Sequence, residues 1–182
     1  MMPPDLPLPH EALRFEYVQE QGLDTSCGLA CAATLLSRYY NIAVSEAMLI
    51  AGIAEGKGQY GASMADLSAL LAAHGVQAKG FKFTYTELEA ACAKGFAPII
   101  VHYDKPEPHW ALLLSAEKGF VVVSDPARGT ELLSMAQFAE RWSGAALLSA
   151  RPGAGPDLEV LAKAIEPQLK RRGTLEYWER NR

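Results

Sequence analysis

Ala97-Pro98-Ile99-Ile100-Val101-His102-Tyr103, His109-Trp110-Ala111-Leu112-Leu113-Leu114-Ser115 and Gly119-Phe120-Val121-Val122-Val123-Ser124 follow one another with only short polar breaks between them. Each run is apolar and β-rich, and each break carries turn residues. The three therefore read as adjacent antiparallel strands. Upstream the period changes. Ala30, Ala33, Thr34 and Leu35, followed by Leu36 and Tyr39, form an apolar helical stripe that begins near Cys27, behind the capping-type residues Asp24, Thr25 and Ser26. Asn41 can close that helix. A second helix is expected over about Ser45 to Ala54. Ser63 with Asp66 has capping-box spacing and opens a third, with Met64, Leu67, Leu70 and Leu71 on its apolar face and Gly75 at its end.

Val76 to Phe83 alternates as a strand does, and Thr86 with Glu89 is expected to open a short helix reaching about Lys94. Phe15 to Val18 reads as a short strand, and Ala145 to Ser149 as the last one. Ser134 with Gln137 caps a short helix through Trp142. Helices thus fill the first half and a sheet the second, an α+β layout with no internal repeat. Residues 1 to 150 are expected to form one domain. Pro152, Gly153, Gly155 and Pro156 then read as a linker. Leu158, Leu161, Ala162 and Ile165 give the stripe of an appended helical tail over 151 to 182, docked on the domain or on a partner; Pro167 is expected to interrupt it or start a new turn.

The chain has 182 residues, 49% hydrophobic and 21% charged, enough for one real core. A net charge of -4 gives no reason to expect nucleic acid or anionic lipid as a partner. The apolar run Ala97 to Val101 is too short to span a bilayer, so no integral membrane segment is expected. The start, Met1 to His10, is Pro-rich and carries no hydrophobic stretch of signal-peptide length. A periplasmic location is expected if a signal peptide has been removed, and a cytoplasmic one otherwise. Cys27, Cys31 and Cys92 are odd in number and show no CxxC pairing, so free thiols are expected. The four histidines lack ligand spacing with each other or with the cysteines, so no metal and no cofactor is expected.

Chemistry concentrates at Gln21-Gly22-Leu23-Asp24-Thr25-Ser26-Cys27-Gly28. A thiol in the first turn of a helix feels the positive end of the macrodipole, which favours the nucleophilic thiolate. Gly28 removes side-chain bulk where a substrate must approach. Gln21, on the loop before the helix, can turn its amide NH2 toward a developing oxyanion, with the Cys27 backbone N–H as second donor. A lone cysteine on an apolar helix is more often a packing residue, which suits Cys31 and Cys92. A nucleophilic cysteine needs a base. His109 opens an apolar strand and can project into a cleft from its mouth; His102 competes with it. His74 at a helix end suits a structural role. Asp125, followed by Pro126-Ala127-Arg128-Gly129, ends the strand that would pair with that of His109. Residues near 109 and 125 would then meet across the ladder, and the carboxylate would orient the ring.

At these residues the chain resembles peptidase family C39, the double-glycine or bacteriocin-processing cysteine peptidases, over roughly Phe15 to Leu148. The matching features are Gln21 six residues before Cys27-Gly28, His109-Trp110-Ala111-Leu112-Leu113, and Asp125-Pro126-Ala127-Arg128-Gly129. Tyr39-Tyr40-Asn41-Ile42-Ala43-Val44-Ser45, Gly61-Ala62-Ser63 with Asp66-Leu67, and the Phe138 to Trp142 helix also fit. Ser26 departs, standing where the family often has an acidic residue.

The resemblance implies a papain-like fold, with Cys27, His109 and Asp125 catalytic and Gln21 in the oxyanion hole. It implies hydrolysis through a thioester after a Gly-Gly-type site in a leader or secreted precursor. A peptide or protein substrate with a leader, and a secretion-system or transporter partner, are the partners it implies. The chain looks most like stand-alone members, some of which work in the periplasm beside secretion systems. Two other readings use the same residues: acyl transfer to an amine, and a catalytically silent module that captures leader peptides. The loop Gly56 to Gly61 is expected either to border the cleft as a rim or to be a plain connection.

Overall fold

The structure is a computed structural model that describes residues 14–52 and 61–180, with side chains described as far as residue 173. The arm at Met1 to His10, the end of the second expected helix and the rim expected at Gly56 to Gly61 (Gly61 apart) lie outside the described residues. Helix α1 (Cys27–Thr34) passes into a π turn at Leu35–Tyr39 and is followed by α2 (Glu46–Gly52) and α3 (Met64–Ala73). Strand β1 (Gln77–Lys82) and helix α4 (Tyr85–Ala93) precede β2 (Ile99–Tyr103), β3 (His109–Glu117), β4 (Phe120–Asp125) and β5 (Gly129–Ser134). Helix α5 (Met135–Arg141), strand β6 (Trp142–Ala150) and helix α6 (Leu158–Arg180) complete the chain.

The strands form one six-stranded sheet in the order β1-β6-β2-β3-β4-β5, with every pairing antiparallel. Both faces are covered. Ile100, Leu112, Leu114, Val122 and Leu147 pack toward Leu35, Leu36, Leu67 and Leu71. Ile99, Val101, Leu113, Val121 and Val123 pack on the opposite side, with Leu88 and Phe138. Full burial of each such side chain contributes about 1.5–3 kcal/mol, so the two cores dominate stability. The sheet in turn fixes the strand ends where the polar residues collect.

Several local expectations are corrected. Phe15 to Val18 is a turn, closed by Val18 N–H on Phe15 O at 3.3 Å, and joins no sheet. Helix α4 starts two residues earlier than expected. Thr84 accepts from Glu87 N–H and the Glu87 carboxylate returns to Thr84, while Glu89 is drawn away to accept from Lys118 N–H at 2.9 Å. Strand β5 was not anticipated; it pairs along the whole of β4. Helix α6 runs through Pro167 unbroken. Ala164 and Gln168 on either side of that proline are buried, and tertiary packing holds a turn that the missing N–H weakens. Ser26 occupies the N-cap position of α1 but does not cap it; its Oγ accepts from Leu23 N–H at 3.0 Å and donates to Leu23 O at 2.7 Å.

Candidate active site

Cys27 is the first residue of α1 and is 6% exposed. It meets the sheet at the mouth of β3, where His109 begins the strand. His109 Nε2–H donates to Asp125 Oδ1 at 2.8 Å, and Ala127 N–H donates to the same oxygen at 2.8 Å. The Asp125 side chain is only 1% exposed. The remaining ring nitrogen, Nδ1, is left for Cys27, whose side chain is hydrogen-bonded to His109.

A bulge makes this meeting possible. Near the β3–β4 turn, Glu117 pairs with Phe120 and Ser115 with Val122, but beyond the irregularity Leu113 pairs with Val123 and Leu112 with Ser124. One extra residue on β3 shifts the parity of everything beyond it. Continued one step, the shifted register sets Ala111 opposite Asp125, so His109, two residues along, shares the face of the carboxylate. In the unshifted register Leu112 would face Asp125 and His109 would point to the other side. His109 is thus diagonal to Asp125 rather than directly across from it, within reach for a ring and a short acid.

The turn after Asp125 is itself held. Gly129 has φ +83, and a Cβ there would lie 2.5 Å from Arg14 O, so only glycine fits so close to the N-terminal segment. Arg14 donates to Arg128 O from its guanidinium, and Gln21 N–H donates to Pro126 O at 3.0 Å. The segment that carries Gln21 is therefore tied to the turn that carries Asp125.

Electrostatics separates the three cysteines. Burial pushes the Cys27 thiol up, but the His109 ring and the backbone N–H groups of Trp110 and Gly28 outweigh it and leave the thiol below its ordinary value. Cys31, fully buried one turn deeper, is pushed well up by burial, and burial takes Cys92 up to about 11. Burial pushes the His109 imidazole down; the Asp125 hydrogen bond and then the Cys27 contact reverse this and raise it to about 9. Thiolate and imidazolium thus favour each other, the charge state in which a cysteine attacks a carbonyl.

His102 does not replace His109. Its Nδ1 pairs with Ser143 Oγ at 3.2 Å, its ring stands edge-on to Trp110 at 4.7 Å, and it lines the cleft without touching Asp125. His74 bonds Leu70 O at 2.9 Å across its own helix. Gln21 Nε2 donates to Leu23 O at 3.0 Å, with Asp24 O at 3.4 Å, and its Oε1 is buried without a partner among the described residues.

Two arms of a cleft open on the centre. One, of about 900 Å³, is lined by Thr25, Cys27, Gly61, Ala62, His102 and Trp110 among others. The other, of about 340 Å³, is lined by Gln21, Tyr103, Lys105, His109, Asp125 and Arg128 among others. Trp110 forms a wall of the first arm. Its Nε1–H donates to Ala62 O at 2.9 Å, and a Cβ on Gly28 would come within 2.9 Å of its ring. Gly28→Ala is accordingly expected to lower stability by about 1–3 kcal/mol through overpacking, despite alanine's better helix propensity. Thermal unfolding checks this, and Trp110 fluorescence should change with it.

Sequence reasoning missed Tyr103, whose ring stacks on His109 at a 6.2 Å centroid separation, and Glu46, which holds Gly22. The apolar alternation of Ile99, Val101 and Tyr103 was a usable signal for the first. No local signal marks the second.

A thiol at a helix start, a histidine and a buried carboxylate, set between helices and an antiparallel sheet, form a site within a papain-like α+β architecture. The Peptidase C39 family model matches residues 14–153. The chain belongs to the peptidase C39 family. It is 31% identical over 137 residues to the "Probable functional amyloid protease FapD" of Pseudomonas fluorescens, covering 72% of this chain and 59% of that protein. The protein of the same name from Pseudomonas aeruginosa is 29% identical over 136 residues, with the same coverage. The chain thus spans 59% of the length of these curated relatives.

Among solved structures it resembles a double glycine motif protease from an AMS/PCAT transporter in complex with the leader peptide. That match has a TM-score of 0.62 and 22% identity, over 72% of this chain and 89% of the other. The peptidase domain of Streptococcus ComA, a bifunctional ABC transporter, superposes with a TM-score of 0.63 at 19% identity, over 74% and 98% of the two chains. Among the described residues no helix is long and apolar enough to cross a membrane.

Proposed function

We propose that the chain hydrolyses a peptide bond through a Cys27 thioester, after a Gly-Gly-type site in a leader or secreted precursor. The observation that carries the chemistry is the Cys27–His109–Asp125 chain, in which the thiol is lowered and the imidazole raised to about 9. The thiolate adds to the scissile carbonyl carbon, and the carbonyl electron pair moves onto oxygen. The Cys27 backbone N–H and the Gln21 amide receive that oxyanion. To do so the Gln21 amide exchanges its contacts with Leu23 O and Asp24 O for the oxyanion. His109 gives its proton to the leaving amine as the C–N bond breaks. Water then attacks the thioester, its proton goes to His109, and the C–S bond breaks to release the acid and the thiolate. Asp125 holds the ring with Nδ1 toward the sulfur throughout.

Support for the substrate comes from the relatives: a protease named for functional amyloid, and a double glycine protease solved with a leader peptide. It also comes from shape. An apolar groove of about 500 Å³, lined by Leu29, Leu49, Ala69 and Leu70 among others, shares Ala62 with the Cys27 arm. Apolar side chains upstream of the cut can lie there. The small side chains Gly61 and Ala62 beside Cys27 suit small residues at the cut itself. We assign residues 1–150 as the peptidase unit and 151–182 as an appended linker and tail, with a secretion system or transporter as its partner.

Internally quenched peptides carrying Gly-Gly, Ala-Ala or Leu-Leu before one fixed bond test this. The Gly-Gly peptide is expected to be cut at least about tenfold faster in kcat/KM than the Leu-Leu peptide, a difference on the scale of a few methylenes. Equal rates for all three would remove the Gly-Gly assignment while leaving the thiol chemistry standing.

A further inference from the structure

We infer that Glu46 is the positioning residue for the loop that presents Gln21, and so governs the oxyanion site from outside the cleft. The inference rests on the peptidase reading above. Glu46 lies in the first turn of α2 and is 8% exposed. Both of its carboxylate oxygens stand 3.0 Å from a single donor, Gly22 N–H. Among the described residues no cation pairs with it. A buried carboxylate is costly to hold, and an acid that only complemented the dipole of its own helix would face solvent or that helix's N–H groups. This one faces the residue next to Gln21.

The contact closes a circuit. Glu46 N–H donates to Gln19 Oε1 at 3.0 Å, and Gln19 Nε2 donates to Ser37 Oγ at 3.0 Å. Gln19 N–H donates to Thr34 Oγ1 at 2.9 Å. Gln19 thus fixes the start of α2, and the α2 carboxylate fixes Gly22. Gln21 lies between the two anchors, with its own N–H on Pro126 O beside Asp125. The fit at Gly22 is tight, since a Cβ there would lie 3.2 Å from Glu46 Oε2. Without the carboxylate, Gly22 N–H loses its acceptor and the peptide on which Gln21 is hung is free to rotate. A displacement of about 1 Å at a positioning group far from the chemistry can cost on the order of 10²-fold in rate.

The test uses the whole chain with two substrates, the Gly-Gly quenched peptide and p-nitrophenyl acetate, which needs no peptide specificity. Glu46→Ala is expected to lower kcat for the peptide about 10- to 100-fold with KM within about twofold. Glu46→Gln, which keeps one carbonyl acceptor, should stay within about threefold of wild type. Alkylation of Cys27 by iodoacetamide forms no oxyanion and should be unchanged in both variants. Adding Gln21→Ala to Glu46→Ala should cost little more, because the two act on one group. The Gly22 amide proton resonance should move in Glu46→Ala and hold in Glu46→Gln.

Full additivity of Gln21→Ala and Glu46→Ala would overturn the proposal, as would an equal loss in alkylation rate. If wild type cleaves the ester without dependence on Cys27, the peptidase reading falls and this inference falls with it. If the ester is cleaved through Cys27 but the Glu46 variants behave additively, only this inference is lost.

Discussion

Cys27→Ala is expected to reduce peptide cleavage by about 10⁴- to 10⁶-fold, the scale on which removal of a nucleophile abolishes covalent catalysis. The loss should fall on kcat, because the residue is only 6% exposed and contributes little surface to substrate binding. Cys27→Ser is a sharper version. It keeps a hydroxyl of similar shape, but an alcohol is not made an alkoxide by the contacts that lower the thiol: the His109 ring and the N–H groups of Trp110 and Gly28. Both variants should still bind the substrate peptide. Cys31→Ala and Cys92→Ala should retain activity, since burial pushes both thiols up and away from the thiolate. Single-turnover assays on the four variants check this. Retained cleavage in Cys27→Ala would remove the thioester mechanism.

Asp125→Asn carries the second-largest effect, a drop in kcat/KM of about 10²- to 10⁴-fold. The fold should survive, because an amide oxygen can still accept from Ala127 N–H where Oδ1 now does. What is lost is the charge that holds His109 as imidazolium. The active pair exists above the lowered pKa of Cys27 and below the raised pKa of His109, so activity should span that window and fall as pH rises through about 9. Removing the Asp125 charge weakens the Asp125 hydrogen bond, the largest of the contributions that raise His109, and abolishes its coulombic contribution, so the basic limb should move from about 9 toward the ordinary imidazole value of about 6.5. Stability follows the same sign. A histidine whose folded pKa is raised stabilises the fold fully below its unfolded pKa and loses that contribution as pH rises through about 9. The Asn variant should therefore lose stability relative to wild type below that pH and converge on it above. A basic limb that stays in place would mean that Asp125 does not set the charge of His109.

Much of the framework was legible in the chain. The runs beginning at Ala97, His109 and Gly119 are apolar, short and separated by turns, so β2, β3 and β4 and their order could be read directly. Helix α1 and the ends of α3 followed from periodicity, a capping box and Gly75. Strand β5 was hidden because Gly129 and Pro126 mark the turn so strongly, and only six residues of mixed polarity separate that turn from α5. The start of α4 was ambiguous because Thr84 with Glu87 and Thr86 with Glu89 have identical spacing; Lys118, distant in sequence, claims Glu89 and decides between them.

The site divides in the same way. Cys27, His109 and Asp125 could be named from their order and flanking residues. The geometry that joins them could not, because it depends on the β3 bulge. Leu112, Leu113 and Leu114 are all buried, on opposite faces of the sheet, so apolar alternation carries no record of which face each takes. Gln21 was named as a donor, but its engagement with Leu23 O belongs to the loop's own folding. Glu46 lies 24 positions from Gly22, and only the packing of α2 brings them together.

The most direct measurement is the pH dependence of alkylation at each cysteine, followed by mass spectrometry of the intact chain with iodoacetamide as probe. Cys27 is expected to react far faster than Cys31 and Cys92 near neutral pH, with a titration midpoint lowered from that of an ordinary thiol. His109→Ala should move that midpoint upward. A Cys27 that labels no faster than the other two, or that titrates as an ordinary thiol whether or not His109 is present, would contradict the assignment of Cys27 as nucleophile.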